Sequence, residues 1–332
     1  MSVPSLGATM RRRDFIRVIG SAAAIWPIAA RARQTTPIRR IGVVQSQFES
    51  ESAYRDWRML FTSRLRELGW TDGENLQINY RFGTGEAMSL GAMAKELVNQ
   101  HPDALFAITS LAALALRQYT LTIPTVFVLV GDPVAVGLVT NLARPNGNIT
   151  GFTIFTNYQI GSKWIETLKD SVPGLTWTAI LFEAGNPIAS QYMPAIEAAA
   201  AEQKVRLIPV PVATNGDIES AFAAFPMATP SPIIIRQRKD IVTRALQRRL
   251  PGIYPFRIFA TDGGLMSYGP DIGNQYWLAA GYIDRILRGT KPTELPIQQP
   301  TKYELVVNLK TAKAVGLAIP SSLLARADEV IE

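Results

Sequence analysis

Polar residues stand directly behind six apolar, strand-forming runs: Gln45-Ser46-Gln47, Thr109-Ser110, Gly131-Asp132-Pro133, Glu183 to Pro187, Arg236 to Arg238 and Thr261 to Tyr268. In an open parallel sheet, ligands sit beyond the carboxyl ends of the strands, so each junction is a candidate contact. Thr109 and Ser110 open a helical segment. Their hydroxyls can donate to a ligand, and the unpaired N–H groups of a helix start favour a carboxylate or phosphate; the same residue types cap helices with no ligand present. Asp132 can accept from an ammonium or hydroxyl, or cap the turn behind it, which is the commoner use of Asp there. Arg236, Arg238 and Lys239 place cations at a helix start, against the dipole. Contact with an anion is one reason for that placement, and a solvated helix start is the other. The run Asp262-Gly263-Gly264-Leu265-Met266-Ser267-Tyr268-Gly269 lacks the GxGxxG spacing and the Lys-Ser/Thr of a phosphate loop. Its glycines suit a tight turn or a close backbone approach, not a nucleotide. Tyr54, Trp57, Tyr158, Phe182 and Tyr192 lie near these junctions. One or two of them are expected to line a site and the rest to be core.

The chain has no Cys and a single His, His101, beside Pro102. Thiolate chemistry and a multi-His metal site are excluded, and a Ser-His-Asp triad is too unless His101 serves. His101 falls between a helical pattern and a strand and reads as a loop residue. No pair of residues forms an acid–base or nucleophile set. Catalytic partners can meet in space without adjoining in sequence, so these absences shrink the enzymatic options without closing them.

The elements that must position these residues alternate. Strands are predicted at Ile41–Val44, Leu76–Tyr80, Ala104–Ile108 and Thr125–Val130, with helices at Ala53–Leu68, Met88–Val98 and Leu111–Gln118 between them. Gly147-Asn148-Ile149-Thr150-Gly151 breaks the pattern, which then restarts. Helices are expected at Gly161–Leu168, Ala195–Glu202, Ile218–Phe225, Val242–Arg249 and Trp277–Leu287. Strands are expected at Trp177–Phe182, Val205–Val210, Pro232–Ile235 and Ile258–Ala260. The tail reads as a strand at Tyr303–Val307, a helix at Leu309–Val315 capped by Gly316, and a last helix at Ser322–Val330. Such alternation argues an α/β fold with parallel sheets covered on both faces. Two successive series argue two lobes.

The N-terminus has the layout of an export signal. Arg11, Arg12 and Arg13 precede Asp14-Phe15-Ile16-Arg17, an apolar run from Val18 to Ala30, and the small-x-small site Ala30-Arg31-Ala32. The apolar run is too short to span a bilayer as a helix and contains Pro27. The Arg-Arg-x-Phe-Ile-Arg core resembles the twin-arginine type, which exports folded chains. Residues 1–32 carry five Arg and one Asp, so the formal charge of +7 falls to +3 without them. The remainder gives no argument for a nucleic-acid partner. A cleavage site without Cys gives no lipid attachment point, so a soluble periplasmic protein is expected.

Longer motifs carry a resemblance. Gly131-Asp132-Pro133-Val134-Ala135-Val136-Gly137-Leu138-Val139 followed by Leu142-Ala143-Arg144-Pro145-Asn146-Gly147-Asn148-Ile149-Thr150-Gly151 is similar to a signature of ABC-transporter substrate-binding proteins of the TrpX-like family. Leu65-Arg66-Glu67-Leu68-Gly69-Trp70, Gly264 to Gly269, Leu295 to Lys302 and Asn308 to Lys313 agree in order, as do Ile319-Pro320 and Leu323 to Asp328. The resemblance implies a type I periplasmic-binding-protein fold: two doubly wound parallel-sheet lobes, joined by a three-segment hinge, with a ligand cleft between them. It places the crossovers near Gly151, Phe256 and Pro292. Lobe 1 is then 38–151 plus 257–291, and lobe 2 is 152–256 plus 292–332. The expected ligand contacts are Gln45, Ser46, Thr109, Ser110 and Asp132 from the first lobe and Asn186 and Arg236 from the second, with Gly264 and Ser267 at the rim. Characterised relatives bind aromatic amino acids. Relatives often have Gly-Thr-Pro where this chain has Thr109-Ser110-Leu111, so the ligand does not carry over. The implied partners are a small molecule, possessed of a carboxylate if it is an amino acid, and an ABC permease, with the receptor a monomer. A sensing receptor for a signalling partner uses the same clamp, and an exported α/β enzyme is the remaining alternative.

Overall fold

The computed structural model describes residues 37–46, 52–83, 87–154, 160–184, 187–224 and 238–332. The export segment, the expected strand 232–235, Tyr158 and the expected contacts Asn186 and Arg236 lie outside these residues.

The first series runs β1 (Arg39–Gln45), α1 (Ser52–Glu67), β2 (Leu76–Phe82), α2 (Ala87–Asn99), β3 (Ala104–Ile108), α3 (Ser110–Tyr119), β4 (Thr125–Val130) and β5 (Ile149–Thr153). The strands form one parallel sheet in the order β2-β1-β3-β4-β5. Every residue of β3 and β4 is buried. Strands covered on both faces need near-continuous apolar sequence, which Ala104–Ile108 and Thr125–Val130 supply.

The second series is α4 (Ile160–Ser171), β6 (Trp177–Glu183), α5 (Pro187–Glu202), β7 (Arg206–Val212), α6 (Asn215–Ala224), α7 (Arg238–Gln247), β8 (Ile253–Tyr254), α8 (Arg257–Thr261) and β9 (Met266–Pro270). Then come α9 (Ile272–Leu287), β10 (Tyr303–Asn308), α10 (Leu309–Val315), α11 (Ser321–Leu324) and β11 (Glu329–Ile331). β6 and β7 pair in parallel, and a separate sheet has the order β11-β10-β9-β8.

The faces of the first sheet follow the strand period of two. Ile41, Val43, Phe106, Ile108, Val126 and Val128 share a core with Phe61 and Leu65 of α1 and Tyr276 and Ile283 of α9. Val44, Leu105, Ala107 and Phe127 point the other way, into a core with Leu90 and Leu97 of α2 and Leu116 of α3. Thus α9, late in sequence, completes the first sheet.

Three connections leave or rejoin this sheet: after Thr153, at Asp271, and between Gln298 and Tyr303. They are tied together. Gln298 donates its N–H to the Gly151 carbonyl (2.9 Å) and accepts from the Thr153 N–H (2.9 Å), and Asp271 N–H donates to the Lys302 carbonyl (3.5 Å). β9 leaves at Pro270 and β10 begins beside it at Tyr303, so the pair is antiparallel although the rest of the second sheet is parallel. The excursion through α9 returns the chain to the end it left, which fixes that direction.

Several expectations change. Ile258–Ala260 is helical within α8, not a strand; a three-residue apolar run does not separate the two by periodicity. The glycine-rich 264–269 run holds β9, expected with 257–291 in the first lobe. Met266–Pro270 instead pairs with β8 and β10. Gly269 permits this, because a Cβ there would fall 1.7 Å from the Pro255 carbonyl oxygen. The last helix stops at Leu324, and Glu329–Ile331 is a strand. Asp328 causes the change: its carboxylate accepts from Leu305 N–H (2.8 Å), and its own N–H donates to the Leu305 carbonyl (2.9 Å).

Gly151, at the root of the first connection, has φ +153°, and a Cβ there would meet the Phe127 carbonyl oxygen at 2.1 Å. Gly151→Ala is expected to destabilise the protein by about 3 kcal/mol, through steric strain in β5. Urea unfolding reads this as a lower midpoint; an unchanged midpoint would show that β5 can move away from β4.

Candidate functional site

The carboxyl ends of β1, β3 and β4 bring five of the expected residues together. Gln45 ends β1 opposite Ile108 of β3 and is fully buried. Its side-chain oxygen accepts from Arg58 Nη1 of α1 (3.1 Å), and that guanidinium lies over the Phe82 ring, 4.9 Å from its centroid. Ser46 Oγ and Thr109 Oγ1 are hydrogen-bonded at 2.9 Å. Ser110 Oγ accepts from Gly131 N–H at 3.4 Å. Parallel strands in register do this: neighbours end at one level, so the residue after each strand lands beside the next.

Thr109 holds an unusual backbone. Its φ of +93° and ψ of +163° fall in a region that is almost exclusively glycine's, and a β-branched residue there is strained by about 1–3 kcal/mol. It occupies the N-cap position of α3, but its hydroxyl makes no capping bond and turns to Ser46. Hydroxyl placement, not helix capping, is what that conformation achieves. Asp132 does cap: Oδ1 accepts from Val134 and Ala135 N–H, both at 3.0 Å. One carboxylate oxygen is thereby committed to the turn.

The remaining expected residues sit elsewhere. Gly264 is the turn before β9, where a Cβ would lie 2.7 Å from the Tyr254 ring and 2.8 Å from the Phe259 carbonyl oxygen. Close packing explains this glycine. Ser267 lies inside β9, opposite Val306 and Tyr254, wholly buried, and its hydroxyl has no hydrogen-bond partner among the described residues. Arg238 of the basic run is also buried, with Nε donating to Asp262 (2.7 Å). His101 is exposed in its loop. Tyr54 and Tyr192 are core, whereas Trp57 is partly buried.

A cavity of about 540 Å³ opens between α1, the start of α9 and α8. Its lining includes Asp56, Trp57 and Leu60 of α1, Ile258 and Asp262, and the connecting residues Asp271 and Lys302. None of the sequence-chosen contacts is among its described lining. Its charges are largely paired across the connections: Lys302 with Asp271 at 3.5 Å, and Arg257 with Glu304 at 3.7 Å and with Glu329. Sequence reasoning missed this set because the residues lie on separate elements, some more than 200 positions apart, with no local motif. The Glu304 carboxyl is held above its ordinary range, mainly by burial and secondarily by Asp271, while Arg257 opposes the rise. Among the described residues there is no cluster of three His, Asp or Glu suited to a metal, and no helix long and apolar enough to cross a membrane.

Solved structures share this architecture. A conserved domain protein from Vibrio cholerae is 26% identical, with a TM-score of 0.81 over 88% of this chain and 99% of that one. An ABC domain in complex with L-tryptophan from Streptococcus pneumonia is 22% identical, with a TM-score of 0.80 and the same coverage. The fold is that of type I periplasmic binding proteins. Over residues 41–331 the chain matches the model of the ABC transporter substrate binding protein family, and it belongs to that family. A tyrosine-binding protein of Clostridioides difficile is 22% identical over 263 residues, which is 77% of this chain and 75% of that protein.

Thr109→Gly is expected to raise stability by about 1 kcal/mol, as relieved strain exceeds the added freedom of the unfolded chain. A lower urea midpoint would show that no strain is stored at Thr109. For Glu304, the raised pKa means that the folded state holds its proton more tightly than the unfolded chain. The corresponding stability is fully present below the ordinary pKa of 4.5 and is lost as pH rises through the raised value. Glu304→Gln should therefore have a higher melting temperature than the parent at neutral pH, with the gap narrowing as pH falls through the raised value and closed below the ordinary 4.5. A gap independent of pH would assign the effect to packing.

Proposed function

We propose that this chain is an exported solute receptor that captures an amino acid or related carboxylate between two lobes and delivers it to an ABC importer. Membership of the substrate-binding family over nearly the whole of the described fold carries the reading. The hydroxyl cluster of Ser46, Thr109 and Ser110 at the strand ends supports the site. Hydroxyls and backbone N–H groups suit a carboxylate, and the start of α3 adds a favourable dipole. The relatives named for tyrosine and the one bound to L-tryptophan make an aromatic amino acid the first ligand to try.

The lobe division that fits the strand pairing is 39–153 plus 271–298 for the first lobe, with most of the remainder forming the second. Ligand contacts shared between lobes favour the closed form, which is how a clamp reports occupancy to a permease. Asn186 and Arg236 are the contacts proposed from the second lobe. Arg12 and Arg13 direct export as a folded, soluble periplasmic monomer, cleaved near Ala32. The receptor binds and releases its ligand unchanged, without cofactor or nucleic acid.

The test uses protein recovered from the periplasmic fraction. Native mass spectrometry reads any co-purified small molecule, and Trp fluorescence follows titration with L-tyrosine and a panel of amino acids. One ligand per chain at saturation, recovered chemically unchanged, is the expected result. No ligand-induced shift across the panel and no co-purified molecule would remove the receptor reading, and product formation would replace it with an enzyme.

A further inference from the structure

The strand alternation fails at one place in the first sheet, beside the candidate site. Val126 and Val128 face α1 and α9, and Phe127 faces α2 and α3, as a regular strand requires. Leu129 then faces the same core as Val128, and Val130 faces the opposite one. Two successive residues on one face are the mark of a β-bulge. Pairing with β5 shifts register between Phe127 and Val130, and Leu129 has a left-handed φ of +59°.

A bulge withdraws backbone groups from the ladder, and buried ones need other partners. Gln275 of α9 supplies them. Its side chain is buried, with Nε2 donating to the Thr153 carbonyl (3.0 Å) and Oε1 accepting from Leu129 N–H (3.4 Å). A carbonyl can only accept and an N–H can only donate, so the two partners fix the orientation of the amide. One side chain thereby joins the last turn of β4 before Gly131 to the last residue of β5 before the first connection. Ile154 N–H adds a bond to the Val130 carbonyl at 2.7 Å.

We propose that Gln275 is a positioning residue: by filling the β4 bulge it holds the Val130–Asp132 tip and the exit of β5 as one unit, so that ligand contact at the tip acts on the hinge. The role is argued from the bulge geometry and rests, for its functional half, on the reading of the strand ends as ligand contacts. Gln275 itself touches no ligand in this scheme. Leucine at 275 has similar bulk but offers neither donor nor acceptor, so it removes the bonds to Leu129 N–H and to the Thr153 carbonyl. Glutamate keeps the acceptor for Leu129 and loses the donor for Thr153.

The experiment compares Gln275→Leu, Gln275→Glu and a control on the same helix, Ile283→Val, which trims buried packing without touching the bulge. Hydrogen exchange followed by mass spectrometry reads residues 129–134 and 153–154, and fluorescence reads affinity for L-tryptophan and L-tyrosine. Gln275→Leu is expected to speed exchange in those two segments by about tenfold and to weaken binding by about tenfold, corresponding to the loss of roughly one buried hydrogen bond. The control should leave both readouts near the parent values. Gln275→Glu should fall between, and it carries the test if the leucine variant does not fold. Exchange that is unchanged, or raised equally along the whole chain, overturns the positioning role, as does faster local exchange with unaltered affinity. A parent protein that binds neither amino acid counts against the aromatic-ligand reading, while the exchange data still decide whether Gln275 holds the two strands.

Discussion

Burial of the central strands on both faces is the constraint from which the rest of the molecule follows. β3 and β4 have α1 and α9 on one side and α2 and α3 on the other, so no polar side chain can be accommodated along their length without a partner. Polar function is therefore pushed to the strand ends. Gln45, Ser46, Thr109, Ser110 and Gly131 meet at one level because parallel strands in register end together. The hydroxyl pair between Ser46 and Thr109 is a consequence of that alignment.

Two departures from regular backbone stand at this same edge. Thr109 adopts a glycine-like conformation, and Leu129 bulges out of the ladder with a left-handed φ. Strained residues persist only where surrounding structure over-determines them. Here the determinants are visible: Thr109 N–H donates to the Val128 carbonyl, and the Gln275 amide holds the bulge. Both departures re-aim the tips of β3 and β4 while the apolar strands beneath stay regular. The same helix that carries Gln275 begins behind Asp271, on one of the three connections, so the bulge and that connection share an element.

Charge is distributed by the same logic. The ion pairs of Arg257, Glu304, Glu329, Asp271 and Lys302 gather where the chain passes between sheets. Burial first, and Asp271 after it, raise the Glu304 pKa, and Arg257 and Lys302 offset the rise only in part. A group held in that way resists ionisation where the chain passes between the sheets.

The sequence by itself determined the class of fold, four of the five strands of the first sheet, and the residues at the strand ends, while β5 lies where the pattern Gly147 to Gly151 reads as a break. Apolar runs such as Thr125–Val130 and the helical spacing of Trp57, Phe61 and Leu65 are local signals, and the motifs from Gly131 to Gly151 carry the family. It also excluded thiolate chemistry and a multi-His metal site, because the chain has no Cys and one His. Only the tertiary structure decided how those residues are used. Asp132 caps its own turn, Gly264 is a packing glycine, and Arg238 is buried against Asp262, distinctions that depend on neighbours 2 to 24 positions away. Met266–Pro270 became a strand because Tyr303 returns beside Pro270 after the excursion through α9. Gln275, invisible as a motif, acquires its role from contacts 146 and 122 residues distant. Local pattern fixes which elements form, but hydrogen bonds between distant elements fix which side chains are left to meet a ligand.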